Sequence, residues 1–181
     1  MDKALIVVMW VSAGCYSSAI EDDPTPDRSE RCSASISEPP TIERHDNLRA
    51  AQEAYDQLVQ MRFPEGLDFS GSNEVESKRR FVEFVKQTLV ASGETSEAFL
   101  QAVADETLAP AIRTAACRNA ARSIEWLVLQ LEEAEVPLDL RTGEYAQDAT
   151  NAYCNQLMQE AAPLRERMAT IAARCESIAT N

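Results

Sequence analysis

The sequence predicts an all-α domain, a four-helix-bundle-like up-down fold, and three observations carry that expectation. Beyond residue 41, apolar residues recur at three- and four-residue steps, while the strict alternation of a half-buried strand is nearly absent. Ala, Glu, Gln, Leu and Arg, all good helix formers, dominate the second half. Breakers are few, 5 Gly and 8 Pro in 181 residues, so long helices can form between them. With 45% hydrophobic and 26% charged residues, the chain suits one globular domain.

The longest helical run is 110–134, PAIRTAACRNAARSIEWLVLQLEEA, and the rest of the domain is expected to pack around it. Ile112, Ala116, Ala120, Ile124, Leu127 and Leu131 fall on one face of a 3.6-residue period, and Trp126 and Leu129 widen it. Pro110 suits a helix's first turn, where its missing N–H has no intrahelical partner, and Pro137 stops the run.

Upstream, 41–62 reads as the first helix, with Leu48, Ala51, Tyr55, Leu58 and Met61 in period. FPEGLDFSGS, 63–72, breaks it, and Asn73 with Glu76 three residues on matches a capping box opening the second helix. Val75, Lys78, Val82, Val85 and Leu89 mark that helix's expected seam, broadened by Phe81 and Phe84, with Gly93 as its stop. A shorter piece, 95–107, carries Phe99, Leu100 and Val103. Pro110 then kinks or splits the third helix, and a split is expected. After a turn at 136–143 the fourth helix runs through Tyr145, Leu157, Met158, Leu164, Met168 and Ile171, kinked or split at Pro163.

A formal charge of −13 and a pI near 4.5 argue against nucleic acid, whose phosphates would repel this chain. No P-loop or dinucleotide-binding glycine pattern occurs, and Ile42 stands three before His45 where a carboxylate-bridged di-metal bundle needs Glu. His45, the single histidine, has no nucleophile signature to serve as a base for. No enzyme, cofactor or metal site is therefore expected. The central run carries Arg113, Arg118 and Arg122 early and Glu132, Glu133 and Glu135 at its end, opposite to what the helix dipole favours. With Asp139 and Glu144 these carboxylates form an expected acidic tip, beside a loop bearing Glu65, Asp68, Glu74 and Glu76, able to meet a basic protein or cations.

Five cysteines stand at 15, 32, 117, 154 and 175 without a C-x-x-C pair. Antiparallel packing about a short third connection would bring Cys117 and Cys154 within roughly 9 Å of level. Cys32 and Cys175 would then meet at the opposite pole. Of the three pairings open to four cysteines, that one is expected, and Cys154 with Cys175 is excluded if one continuous helix separates them by some 30 Å.

Residues 4–13, ALIVVMWVSA behind Lys3, have the length of a signal-peptide core and are too short to span a bilayer. The following Ser12-Ala13-Gly14-Cys15 resembles the lipobox of bacterial lipoproteins. The resemblance implies a signal peptide over 1–14 and an acylated Cys15 that anchors the chain in a membrane. Because Tyr16 is not the Asp of inner-membrane retention, it also implies the outer membrane of the cell envelope. Cleavage after Ala19, giving a secreted protein without an anchor, is the alternative. Residues 15–40, rich in Ser, Asp, Glu and Pro, read as a disordered linker ahead of the helical domain at 41–181. The function expected is a helical binding or scaffolding module, with a carrier cavity near Trp126 and Tyr145 as the second possibility.

Overall fold

The computed structural model describes residues 31–33 and 36–179. The fold is all-helical: α1 (Arg49–Leu58), α2 (Glu74–Ala104), α3 (Pro110–Glu132) and α4 (Ala146–Ala179), with 3-10 turns at Asp46–Leu48, Gly71–Asn73 and Leu138–Arg141. α3 packs on α2 along one side and on α4 along another, and α1 packs on α2. Being central, α3 buries far more than one stripe, including Thr114, Cys117, Asn119, Ser123 and Gln130 besides its apolar residues.

Pro110 opens α3 at its first turn, so the chain is split there as expected. α4 instead continues through Pro163, which removes one backbone donor at an exposed position without ending the helix. Gly93 does not end the second helix either. α2 runs on through it because the flanking turns bury Ser92, Thr95, Ser96 and Phe99 against α3, and packing outweighs a propensity cost of about 1 kcal/mol. Nor does the capping box form: Asn73 donates to Asp68 at 3.0 Å, and Glu76 pairs with Arg79.

The first helix is shorter than its periodicity suggested, 10 residues rather than 41–62. The reason lies upstream. The described part of the segment expected to be linker, 31–33 and 36–40, belongs to the domain and continues with 41–45 as an extended strap along α3. Cys32 N–H donates to the Ala134 carbonyl at 2.9 Å, and Ser37 N–H to the Glu133 carboxylate at 2.8 Å. Farther along, Asn119 clips Glu43 at both backbone groups, accepting from its N–H at 2.9 Å and donating to its carbonyl at 2.7 Å. The spacing matches: six extended strap residues and fourteen helical residues each span about 21 Å. Tyr55 adds a hydrogen bond from its hydroxyl to the Pro40 carbonyl, tying α1 to the strap.

This path changes the disulfides. Cys32 pairs with Cys154 and Cys117 with Cys175, with Cα–Cα distances of 5.3 and 5.5 Å. The expected partners, Cys117 with Cys154 and Cys32 with Cys175, are thus exchanged. The strap carries Cys32 to the C-terminal end of α3 rather than leaving it at the other pole. The connection 133–145 is also no simple hairpin, so α4 starts well beyond the tip of α3. Its 34 residues place Cys154 and Cys175 about 30 Å apart, and Cys117 lies level with the second.

Candidate functional site: the uncovered face of α2

The expected acidic tip is the first place to look, and its two loops do lie together. Leu138 N–H donates to the Leu67 carbonyl at 3.0 Å, and Phe69 N–H to Asp139 at 3.0 Å. Gly66, in the left-handed region at φ +64°, turns its N–H to Glu135 at 3.0 Å. Glu135 also meets Arg141 at 3.3 Å, and Glu132 accepts from Arg165 Nε at 2.8 Å. Glu133 is 6% exposed and accepts from both the N–H and the hydroxyl of Ser37. Only Glu144 of the five is exposed. The adjoining loop is similar, with Glu65 on Arg31, Glu74 on Lys78 and Glu76 on Arg79. Asp68 is held below the usual carboxylate range by hydrogen bonds from Ser70 and Asn73. These carboxylates therefore act as internal acceptors, and that explains how α3 tolerates acidic residues at its C-terminal end: arginines from α4 and the loops neutralise them.

Other expected positions are dispersed. Trp126 is fully buried under the Arg62 guanidinium, 4.5 Å from the ring centroid, whereas Tyr145 is 69% exposed just ahead of α4, so the two line no common cavity. His45 caps the 3-10 turn, its carbonyl accepting from Leu48 and Gln52. Among the described residues no group of three or more His, Cys, Asp and Glu is placed to hold a metal ion. Cys15 lies outside the described residues.

The unexpected feature is α2, which buries several hydroxyl residues and leaves three valines exposed. Its buried residues include Ser77, Thr88, Ser92, Thr95 and Ser96, with Ser92 donating to the Ser123 carbonyl at 3.0 Å across the seam with α3. Three of its valines point outward instead: Val75, Val82 and Val90 are 79, 46 and 52% exposed, while Val103 lies in the core. Separated by seven and eight residues, about two turns each, they form one stripe. Periodicity alone identified Val75 and Val82 as apolar and regular but assigned them to the core. What it could not see is that small hydroxyl residues fit the close α2–α3 approach better than valine does.

α1 leaves this stripe bare. At 10 residues it spans about 15 Å against about 46 Å for the 31-residue α2. It covers the C-terminal half, where Leu48, Ala51, Tyr55 and Leu58 join Phe99 and Val103 in one core cluster. Past Met61 the chain crosses to Phe81 and Phe84, on which Phe63 packs edge-on at 5.9 and 5.3 Å. The result is an open groove of about 900 Å³, with Met61 at one edge and Lys78, Arg79, Glu83, Lys86 and Glu94 alongside the valines. In a bundle this is the berth of a helix, half filled.

No described helix is long and apolar enough to cross a membrane. No family model, curated protein or solved structure matches the chain.

Proposed function

We propose that this chain is an exported lipoprotein of the bacterial cell envelope, anchored through Cys15, whose helical domain works by binding rather than catalysis. The observation that carries the binding reading is the exposure of Val75, Val82 and Val90, three outward valines interleaved with Arg79 and Lys86 on a helix whose other side buries polar residues. Two disulfides fit an oxidising compartment outside the cytoplasm. The lipobox-like Ser12-Ala13-Gly14-Cys15 supports the anchor. The contact surface proposed is the α2 face, in place of the acidic tip, because the tip's carboxylates are engaged within the domain.

A photo-crosslinking residue at position 82, incorporated into the chain in its native envelope, tests this. Crosslinked protein at 82, with none at an exposed control position such as Glu144, is the expected result. Intact mass of the same sample reads acylation at Cys15; a free N-terminus at Ile20 would replace the anchored protein with a secreted one.

A further inference from the structure

We propose that the Cys32–Cys154 disulfide is a redox-sensitive clasp on the strap, opened by a dithiol reductant while Cys117–Cys175 keeps the helices together. The two bridges differ in where they sit. Cys117 and Cys175 are 0 and 6% exposed, inside the cluster that also holds Ala116, Ala120 and Ile171, so a thiolate reaches them only when α3 and α4 part. Cys32 and Cys154 are both half-buried, and Cys154 stands beside the exposed Ala152 and Asn155 near the start of α4.

The stretch behind the clasp has little else to hold it. No residue among 36–41 is buried, and the strap's deeply buried apolar side chain is Ile42. Ahead of Ile42 the strap relies on polar contacts, Cys32 N–H on the Ala134 carbonyl and Ser37 on the Glu133 carboxylate. Ordering an extended backbone costs at least as much per residue as one hydrogen bond returns, so such contacts do not hold this stretch without the covalent link. From Pro40 onward the hold is firmer: the Tyr55 hydroxyl donates to the Pro40 carbonyl, Ile42 is buried and Asn119 clips Glu43. Opening the clasp therefore frees 32–39 and stops there, adding about 26–29 Å of extended chain to what precedes Cys32. In a chain anchored through Cys15 that increment lengthens the tether and lets the domain stand farther from the membrane. The release itself does not depend on the anchor.

The step is thiol–disulfide exchange. A thiolate of the reductant attacks one sulfur of the pair and expels the other as a thiolate, and the reductant's second thiol then attacks the mixed disulfide. Two electrons and two protons end on Cys32 and Cys154, and the reductant leaves as its own disulfide.

A pulse of dithiothreitol on the folded full chain in detergent, quenched with N-ethylmaleimide and read by peptide mass spectrometry, tests the order. Cys32 and Cys154 are expected to be alkylated at least about tenfold faster than Cys117 and Cys175, whose reduction waits for global opening. Amide exchange on the singly reduced chain then shows the Cys32 and Ser37 amides losing protection while the Glu43 amide and the middle of α3 keep theirs. Cys32→Ser combined with Cys154→Ser gives the same pattern without reductant, and the pulse on the native chain decides even where that variant does not fold. Labelling of all four cysteines together, or of Cys117 and Cys175 first, overturns the selectivity; an unchanged Ser37 amide after selective reduction overturns the release. Intact mass separates the anchor from the clasp: an unacylated chain that still opens at Cys32–Cys154 loses the first and keeps the second.

Discussion

Replacing Asn119 by Ala cuts the clip that holds the strap on α3. Asn119 is fully buried and bonds the N–H and carbonyl of Glu43 at 2.9 and 2.7 Å, much as a strand neighbour would. Losing two bonds worth about 1 kcal/mol each, and stranding two half-buried backbone groups, costs about 3 to 4 kcal/mol. The better helix propensity of Ala returns about 0.5 kcal/mol. A net loss of about 3 kcal/mol lowers the melting temperature by about 6–12 °C in a domain of this size. Amide exchange resolves where the loss falls: the Glu43 amide, protected in the native chain, exchanges faster in Asn119→Ala, while amides in the middle of α3 follow global stability. A melting temperature within 1–2 °C of the native value and an unchanged Glu43 amide would refute a strap held by this residue.

Further consequences follow from burial and backbone geometry. Gly93→Ala stabilises by about 1 kcal/mol in urea unfolding, since Gly93 lies within α2 and a Cβ there meets nothing within 4 Å. Phe99→Ala, emptying a fully buried ring from the core shared by α1, α2 and α3, costs about 3–5 kcal/mol in the same assay. Burial pushes the Tyr55 hydroxyl up to about 12, so the folded chain keeps that proton where the unfolded chain, titrating near 10, has lost it. The sign is a stability fully present below pH 10 and lost as pH rises toward 12, by about 2–3 kcal/mol, which brief alkaline unfolding with phenolate absorbance will read and Tyr55→Phe will diminish. Tyr153, raised by burial at the other core cluster, contributes in the same direction.

What the sequence made legible was the part governed by regular periods and by proline. The α3 boundaries, its central position and the split at Pro110 all follow from apolar spacing and the missing N–H. The strap was not legible because it is held through backbone groups by Asn119 and Glu133, with Ile42 as its one deeply buried apolar residue, and such pairing leaves no periodic trace. From that omission came the exchanged disulfides, since the position of Cys32 depends on the strap's path and not on any helix. The valine stripe was legible as a stripe but not as an exposed one. Which face of α2 turns inward is set by packing across the seam, where buried Ser92 meets the Ser123 carbonyl, a question of volume that one helix's sequence does not contain. Likewise the acidic tip was correctly gathered from two loops, yet charge counting could not reveal that Gly66, Phe69 and Ser37 would spend those carboxylates on backbone N–H groups.

The account turns on the strap running along α3 from Glu133 to Asn119, because that path places Cys32 at the C-terminal end of α3. Proteolysis of the unreduced chain followed by mass spectrometry of the linked peptides tests it most directly. The account predicts two species, joining Cys32 to Cys154 and Cys117 to Cys175. Peptides joining Cys117 to Cys154, or Cys32 to Cys175, would contradict it.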